Sequence, residues 1–227
     1  MCGIFGLINI EIDDEQLKSF SNHMHHRGPD DKGIFYEKKN NSILLGQNRL
    51  EILDIQYGKQ PMISQCKNYI IIFNGEIYNF LELRKELENL GHTFLSSNSD
   101  TETLLNGYKE WGKNLSLKLN GMWAFAIYDK INNHIFLSRD RFGEKPLFYY
   151  KNKNKFVFSS EISFIKKVKN LDINLSLINI KKFCANGFFP LSNTPFKEIN
   201  KLESSANLIL NLSDYSIKKN KFWELEI

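Results

Sequence analysis

Short apolar runs punctuated by Gly, Asn and Lys dominate the first two thirds of the chain. Their lengths are those of strands: Gly3 to Ile8, Ile43 to Gln47, Tyr69 to Phe73, Met122 to Asp129, Ile135 to Arg139, Leu147 to Tyr150 and Phe156 to Ser159. Two neighbouring pairs read as hairpins. Met122–Asp129 and Ile135–Arg139 are joined by Ile131-Asn132-Asn133, and Leu147–Tyr150 and Phe156–Ser159 by a Lys/Asn tract, so both pairs should be antiparallel. The period becomes helical over about Asp13 to Met24. It does so again over about Asn79 to Leu90, where Leu83, Leu87 and Leu90 share a face ahead of Gly91, and from about Ser99, where Leu104, Tyr108 and Trp111 lie on one side. Antiparallel strands with segregated helices predict a layered α+β fold. From Leu171 onward the pattern weakens to a short helix around Leu175 to Ala185, a Gly187-Phe188-Phe189-Pro190 turn, and a last hairpin from Leu208 to Leu212 and Ser216 to Trp223.

A chain of 227 residues with 42% hydrophobic content is large enough for a real core. Its net charge of +4 comes from lysines set among asparagines, as in Lys151-Asn152-Lys153-Asn154-Lys155. Nucleic-acid binders gather positive charge on one face with arginine and aromatic residues, so no nucleic-acid partner is expected. The three cysteines, Cys2, Cys66 and Cys184, lack CxxC spacing, which indicates neither a disulfide framework nor a zinc ribbon and fits a reducing, cytoplasmic setting. No basic flank leads into an apolar run at the N-terminus, and no stretch reaches membrane-spanning length, so export and membrane insertion are not expected.

Cys2 follows the initiator in Met1-Cys2-Gly3-Ile4-Phe5-Gly6, and a side chain this small allows the methionine to be removed. The mature terminus would then carry a thiol nucleophile and, in its α-amine, a weak base on the same residue. The amine titrates near about 8 and a thiol near about 8.5, so both are partly deprotonated around neutrality. Taken alone, Cys2 also reads as an ordinary buried residue at the start of a first strand.

Four segments in order change that balance: the opening Cys2-Gly3-Ile4-Phe5-Gly6, then His26-Arg27-Gly28-Pro29-Asp30, then Asn74-Gly75-Glu76-Ile77-Tyr78-Asn79, and Asp140-Arg141-Phe142-Gly143-Glu144-Lys145-Pro146-Leu147-Phe148-Tyr149. Together they resemble the glutaminase domain of glutamine-hydrolysing asparagine synthetases, over essentially the whole chain and least after about Leu171. The resemblance implies an N-terminal-nucleophile hydrolase with four layers, α/β/β/α, around two antiparallel sheets. It divides the chain into a core over residues 1–170 and a C-terminal part of the same domain over 171–227, leading to a linker.

Hydrolysis of a side-chain amide passes through a tetrahedral oxyanion, which needs donors fixed in advance. Asn74 offers an NH2, and Gly75 allows close approach of its N–H. In isolation the pair reads as a turn after Tyr69 to Phe73; beside Cys2 it is the expected oxyanion site. Arg49 suits the substrate carboxylate as a bidentate fork, and by resemblance Arg49, Leu50, Glu51, Ile52 and Leu53 line the glutamine pocket. Asp100, assisted by Glu76, suits the ammonium, although Ser99-Asp100-Thr101-Glu102 is also a capping box, and both roles are compatible. The family analogy puts Arg27 near the nucleophile, where its charge favours thiolate, with Asp30 and Pro29 fixing that loop. The histidines His23, His25 and His26 have no accompanying metal-site spacing, so no metal is expected. Arg139, Asp140 and Arg141 read as structural or interface-forming.

Two positions depart from the family wording. Glu51 replaces a small polar residue after the Arg-Leu pair, and Leu202 to Leu208 replaces a Pro-Gly turn. The chain contains no Gly-Gly pair and no P-loop, so no cofactor is expected here; ATP and magnesium belong to a synthetase domain outside this sequence, which would take the ammonia and turn aspartate into asparagine. The expected partners are L-glutamine and that domain or subunit, and a homodimer is one option for assembly. A sugar-acid acceptor, or a glutamine-binding regulatory domain without turnover, are the alternatives.

Overall fold

The computed structural model describes residues 1–38, 41–51 and 58–225. It contains two six-stranded sheets among these residues. The first runs β10 (Ile199–Lys201), β8 (Phe148–Asn152), β9 (Lys155–Ser159), β1 (Gly3–Ile8), β3 (Ser42–Arg49), β2 (Asp31–Lys38). The second runs β12 (Ile217–Lys221), β11 (Ala206–Asn211), β7 (His134–Arg139), β6 (Gly121–Asp129), β5 (Tyr69–Ile77), β4 (Met62–Ile63). Every pairing among them is antiparallel, including the β6–β7, β8–β9 and β11–β12 hairpins.

Strand alternation assigns each side chain to a layer. Ile4, Ile8, Ile43 and Leu45 of the first sheet meet Ile70, Ile72, Ala124, Ala126 and Leu137 of the second in a common core. The residues between them point outward. Phe5, Leu7 and Leu44 pack on α1 (Asp14–His23) and α5 (Ile162–Lys167), while Ile71, Phe73 and Phe125 pack on α2 (Phe80–Asn89), α3 (Asp100–Trp111) and α4 (Leu115–Lys118). The result is the α/β/β/α order. Full burial of each such side chain contributes about 1.5–3 kcal/mol, which is why both strand faces are apolar where two layers cover them.

Helix ends follow their caps. Asp13 and Gln16 form a reciprocal capping box before α1, and Gly91 ends α2 at φ 92°. Before α3 the box is only half made. Ser99 accepts from the Glu102 N–H, but the Glu102 carboxylate turns away to accept from the N–H groups of Leu95 and Ser96. The C-terminal part holds α6 (Leu177–Asn186), capped by Gly187, and the β11–β12 hairpin. Asp140 is a hub. Its buried carboxylate accepts from the N–H groups of Trp123, Phe142, Glu144 and Lys145, while Arg139 donates to the carbonyls of Gly143, Lys145 and Leu202. Arg139 and Asp140 of the charged run thus tie the local backbone together.

Candidate active site

One end of the space between the sheets is polar. Cys2 continues the alternation of Ile4 and Ile8, Gln47 and Arg49 continue that of Ile43 and Leu45, and Asn74 and Glu76 continue that of Ile70 and Ile72. The apolar core thus gives way, along the same strand faces, to a cleft with about 430 Å³ of open space. Its walls include Cys2, Arg49, Leu50, Gly75, Glu76 and Asp100, so six of the residues singled out from the sequence meet there. Arg49 is the last residue of β3 and does not lie beyond it, which fixes its side chain toward the opposite sheet.

The Cys2 sulfur lies against the Leu50 main chain, 3.4 Å from its nitrogen and 3.6 Å from its oxygen. Burial raises the thiol pKa, opposed by the Leu50 backbone, the terminal ammonium, Arg49 and Lys145. The thiol is therefore protonated near neutrality and needs a base. Arg27 reaches Cys2 through the backbone, with Nε donating to the Cys2 carbonyl at 3.1 Å and Nη1 to Glu161 at 3.2 Å. Gly28, the next residue, must be glycine because an added Cβ would fall 2.3 Å from the Asn48 carbonyl oxygen. Asp30 accepts from the Glu51 N–H at 2.9 Å and donates its own N–H to the Arg49 carbonyl, so it holds the end of β3.

Asn74 and Gly75 sit inside β5, opposite Ala124 and Trp123 of β6. The isolated reading of a turn is corrected: residues 69–77 form one continuous strand, because β6 pairs along its whole length. Gly75 is required by that pairing, since a Cβ would stand 2.1 Å from the Met122 oxygen. The Asn74 side chain is buried, and its Nδ2 has no acceptor among the described residues. A buried donor left without a partner costs roughly 1–3 kcal/mol, and the residue beside it, Gly75, lines the cleft.

At the far wall, Asp100 opens α3. Burial pushes its carboxyl up to about 6, against hydrogen bonds from the Ile77 N–H and from Thr101, and the nearby Glu76 adds to the rise. Two carboxylates beside open space favour a cation between them. Arg49 pairs with Glu51, Nη1 to Oε1 3.3 Å. Ile52 and Leu53, also expected to line the pocket, lie outside the described residues.

Sequence reasoning missed Gln60 and Gln47. Gln60 accepts from the Phe73 N–H at 2.6 Å and donates to Thr101 Oγ1, while Gln47 donates to the Phe73 carbonyl at 2.7 Å. They hold the β5 segment just before Asn74. The sequence signal for Gln47 is a polar residue ending an apolar strand, after Ile43 to Leu45; Gln60 has none. Among the described residues no cluster of His, Cys, Asp and Glu could hold a metal, and no helix is long and apolar enough to cross a membrane.

The fold is an α/β/β/α sandwich with a thiol beside a polar cleft at the start of a central strand. The chain belongs to the glutamine amidotransferase domain family, whose model matches residues 1–223. It is 36% identical to asparagine synthetase (glutamine-hydrolyzing) 1 of Bacillus subtilis over 92% of its length, and 35% identical to asparagine synthetase 3 of that organism over all of it. A provisionally named asparagine synthetase 2 of Methanocaldococcus jannaschii is 42% identical over 99% of the chain. The chain spans 47% of that archaeal relative and 33% and 37% of the two Bacillus proteins. In fold it resembles the glutamine phosphoribosylpyrophosphate amidotransferase of Bacillus subtilis, at a TM-score of 0.68 and 22% identity over 98% of this chain and 49% of that one.

Proposed function

We propose that the cleft hydrolyses L-glutamine to glutamate and ammonia, with Cys2 as nucleophile after removal of Met1. The observation that carries this reading is that the Cys2 sulfur shares one cleft with a cation, Arg49, and two carboxylates, Asp100 and Glu76. That charge pattern complements the zwitterionic end of an amino acid. Met1 is 57% exposed, which supports its removal. The freed α-amine takes the thiol proton, directly or through a water. The sulfur then adds to the δ-carbonyl, and the Asn74 Nδ2 and the Gly75 N–H receive the oxyanion. The proton passes to the departing ammonia, leaving a γ-glutamyl thioester. Water then adds to the acyl carbon and the C–S bond breaks, which releases glutamate and regenerates the thiol. Arg27 keeps the Cys2 backbone in place, and Asp30 keeps Arg49 and Glu51 aligned.

No resident metal or cofactor enters this scheme. The named relatives support aspartate as the final acceptor of the ammonia, in an ATP- and magnesium-dependent synthetase domain joined to or partnered with this one. A cytoplasmic setting is in keeping with three free thiols. The test is an ammonia and glutamate assay on the wild type and Cys2→Ala. The wild type should release both in equal amounts, and Cys2→Ala should keep its circular-dichroism spectrum and release neither. Glutamine binding without turnover by the wild type would instead make the domain a sensor.

A further inference from the structure

The same cleft contains a feature that substrate hydrolysis does not require. Arg49, the cation placed to receive the substrate carboxylate, already faces a carboxylate of its own chain: Glu51 Oε1 stands 3.3 Å from Arg49 Nη1. The Arg49 side chain is 6% exposed and that of Glu51 25%. The guanidinium is thus fixed in the wall, while its partner has a route to solvent. The Glu51 backbone is pinned, its N–H bonded to Asp30 Oδ2, so the carboxylate can leave Arg49 by side-chain rotation with the strand end in place.

We propose that Glu51 is a built-in competitor for the Arg49 guanidinium, which the α-carboxylate of glutamine displaces on binding. This rests on the assignment of the cleft as the glutamine site. A charge-assisted hydrogen bond is the strong kind, and a competitor two residues away on the same chain is present at high effective concentration. Each binding event exchanges one carboxylate for another at Arg49, so the net gain from that contact is small. The Glu51 carboxylate also sets a negative charge beside that guanidinium, which opposes an incoming carboxylate by like charge. The consequence is a raised glutamine threshold: the site fills only when glutamine is plentiful, while the bound state and the chemistry are unchanged.

The experiment compares the wild type with Glu51→Gln and Glu51→Ser by steady-state ammonia release, using L-glutamine and its α-amide, which retains the side-chain amide and lacks the α-carboxylate. Both variants should lower KM for L-glutamine roughly tenfold, a change of about 1.4 kcal/mol, with kcat within about twofold, and leave KM for the α-amide unchanged. Two variants guard against a folding defect in either one, and a matching thermal midpoint checks this. A KM for L-glutamine that rises or stays constant overturns the proposal, as does an equal fall with the α-amide. A wild type that releases no ammonia from L-glutamine overturns the assignment of the cleft instead, so the two failures are distinguishable.

Discussion

Arg27 donates through Nε to the main-chain oxygen of Cys2 at 3.1 Å, bridging the loop after α1 to the start of β1. The same guanidinium is held by Glu161, which also accepts from His26 at 2.8 Å and from Ser163 at 3.0 Å. The Cys2 main chain is therefore clamped by Arg27, while its sulfur rests against the main chain of Leu50. These contacts hold the Glu161 carboxyl below the usual carboxylate range, so the clamp is charged at neutral pH.

Replacing Arg27 loosens that clamp without touching the substrate. Arg27→Ala is expected to lower kcat by roughly ten- to a hundredfold, the scale of a misplaced nucleophile, with KM for glutamine little changed. Arg27→Lys should rescue poorly, since an ammonium cannot serve Cys2 and Glu161 together as a planar fork does. Steady-state kinetics on the three proteins decide this; a KM effect as large as the kcat effect would make Arg27 a binding residue.

Asn74 and Gly75 should separate chemistry from folding. Asn74→Ala removes a buried donor that has no protein partner among the described residues, so stability should hold or rise, by up to about 1–3 kcal/mol, while kcat falls roughly 10²–10³-fold. Gly75→Ala forces a Cβ onto the Met122 oxygen and the Trp123 Cα, both backbone atoms of β6. It should lose stability and activity together. Urea unfolding beside kinetics checks both, and a large stability loss in Asn74→Ala would show that its amide is structural.

Much of this arrangement is legible in the amino-acid pattern, for reasons visible in particular residues. Gly3 to Ile8 and Met122 to Asp129 are apolar on both faces because layers cover both, and such runs are hard to mistake. By contrast β2, Asp31–Lys38, is a half-exposed edge strand whose polar residues hide its period, and α5, with six residues, is too short to show one. Asn74-Gly75 carries the dipeptide signature of a turn, yet pairing with β6 overrides it. Cys2, Arg49 and Asp100 stand out because their chemistry is specific. Gln60 does not, because its role is to bracket a backbone thirteen positions away, and no local pattern encodes that.

Asp100 links stability to pH. Burial raises its carboxyl from an ordinary 3.8 to about 6 in the folded protein, so the native state holds the proton more tightly than the unfolded one. Stability is therefore highest with Asp100 protonated and declines as pH rises from about 4 to about 6, by about 3 kcal/mol at most. Asp100→Asn should accordingly be about 1–3 kcal/mol more stable than the wild type at pH 7, with the gain disappearing near pH 4. It should also bind glutamine poorly, having lost the charge that meets the ammonium. In the wild type kcat/KM should fall as pH drops through about 6. Denaturation at the two pH values and a pH–rate profile test the pair of claims, and a variant less stable at pH 7 contradicts them.

Nucleophilic catalysis by Cys2 is best examined through the mass of the N-terminal peptide after rapid acid quenching of the wild type during glutamine turnover. The expected peptide begins at Cys2, with Met1 gone, and carries one γ-glutamyl group on the sulfur, removable by hydroxylamine. A peptide that retains Met1 while ammonia is released at full rate, or a glutamyl group attached to any other residue, would refute the role given to Cys2.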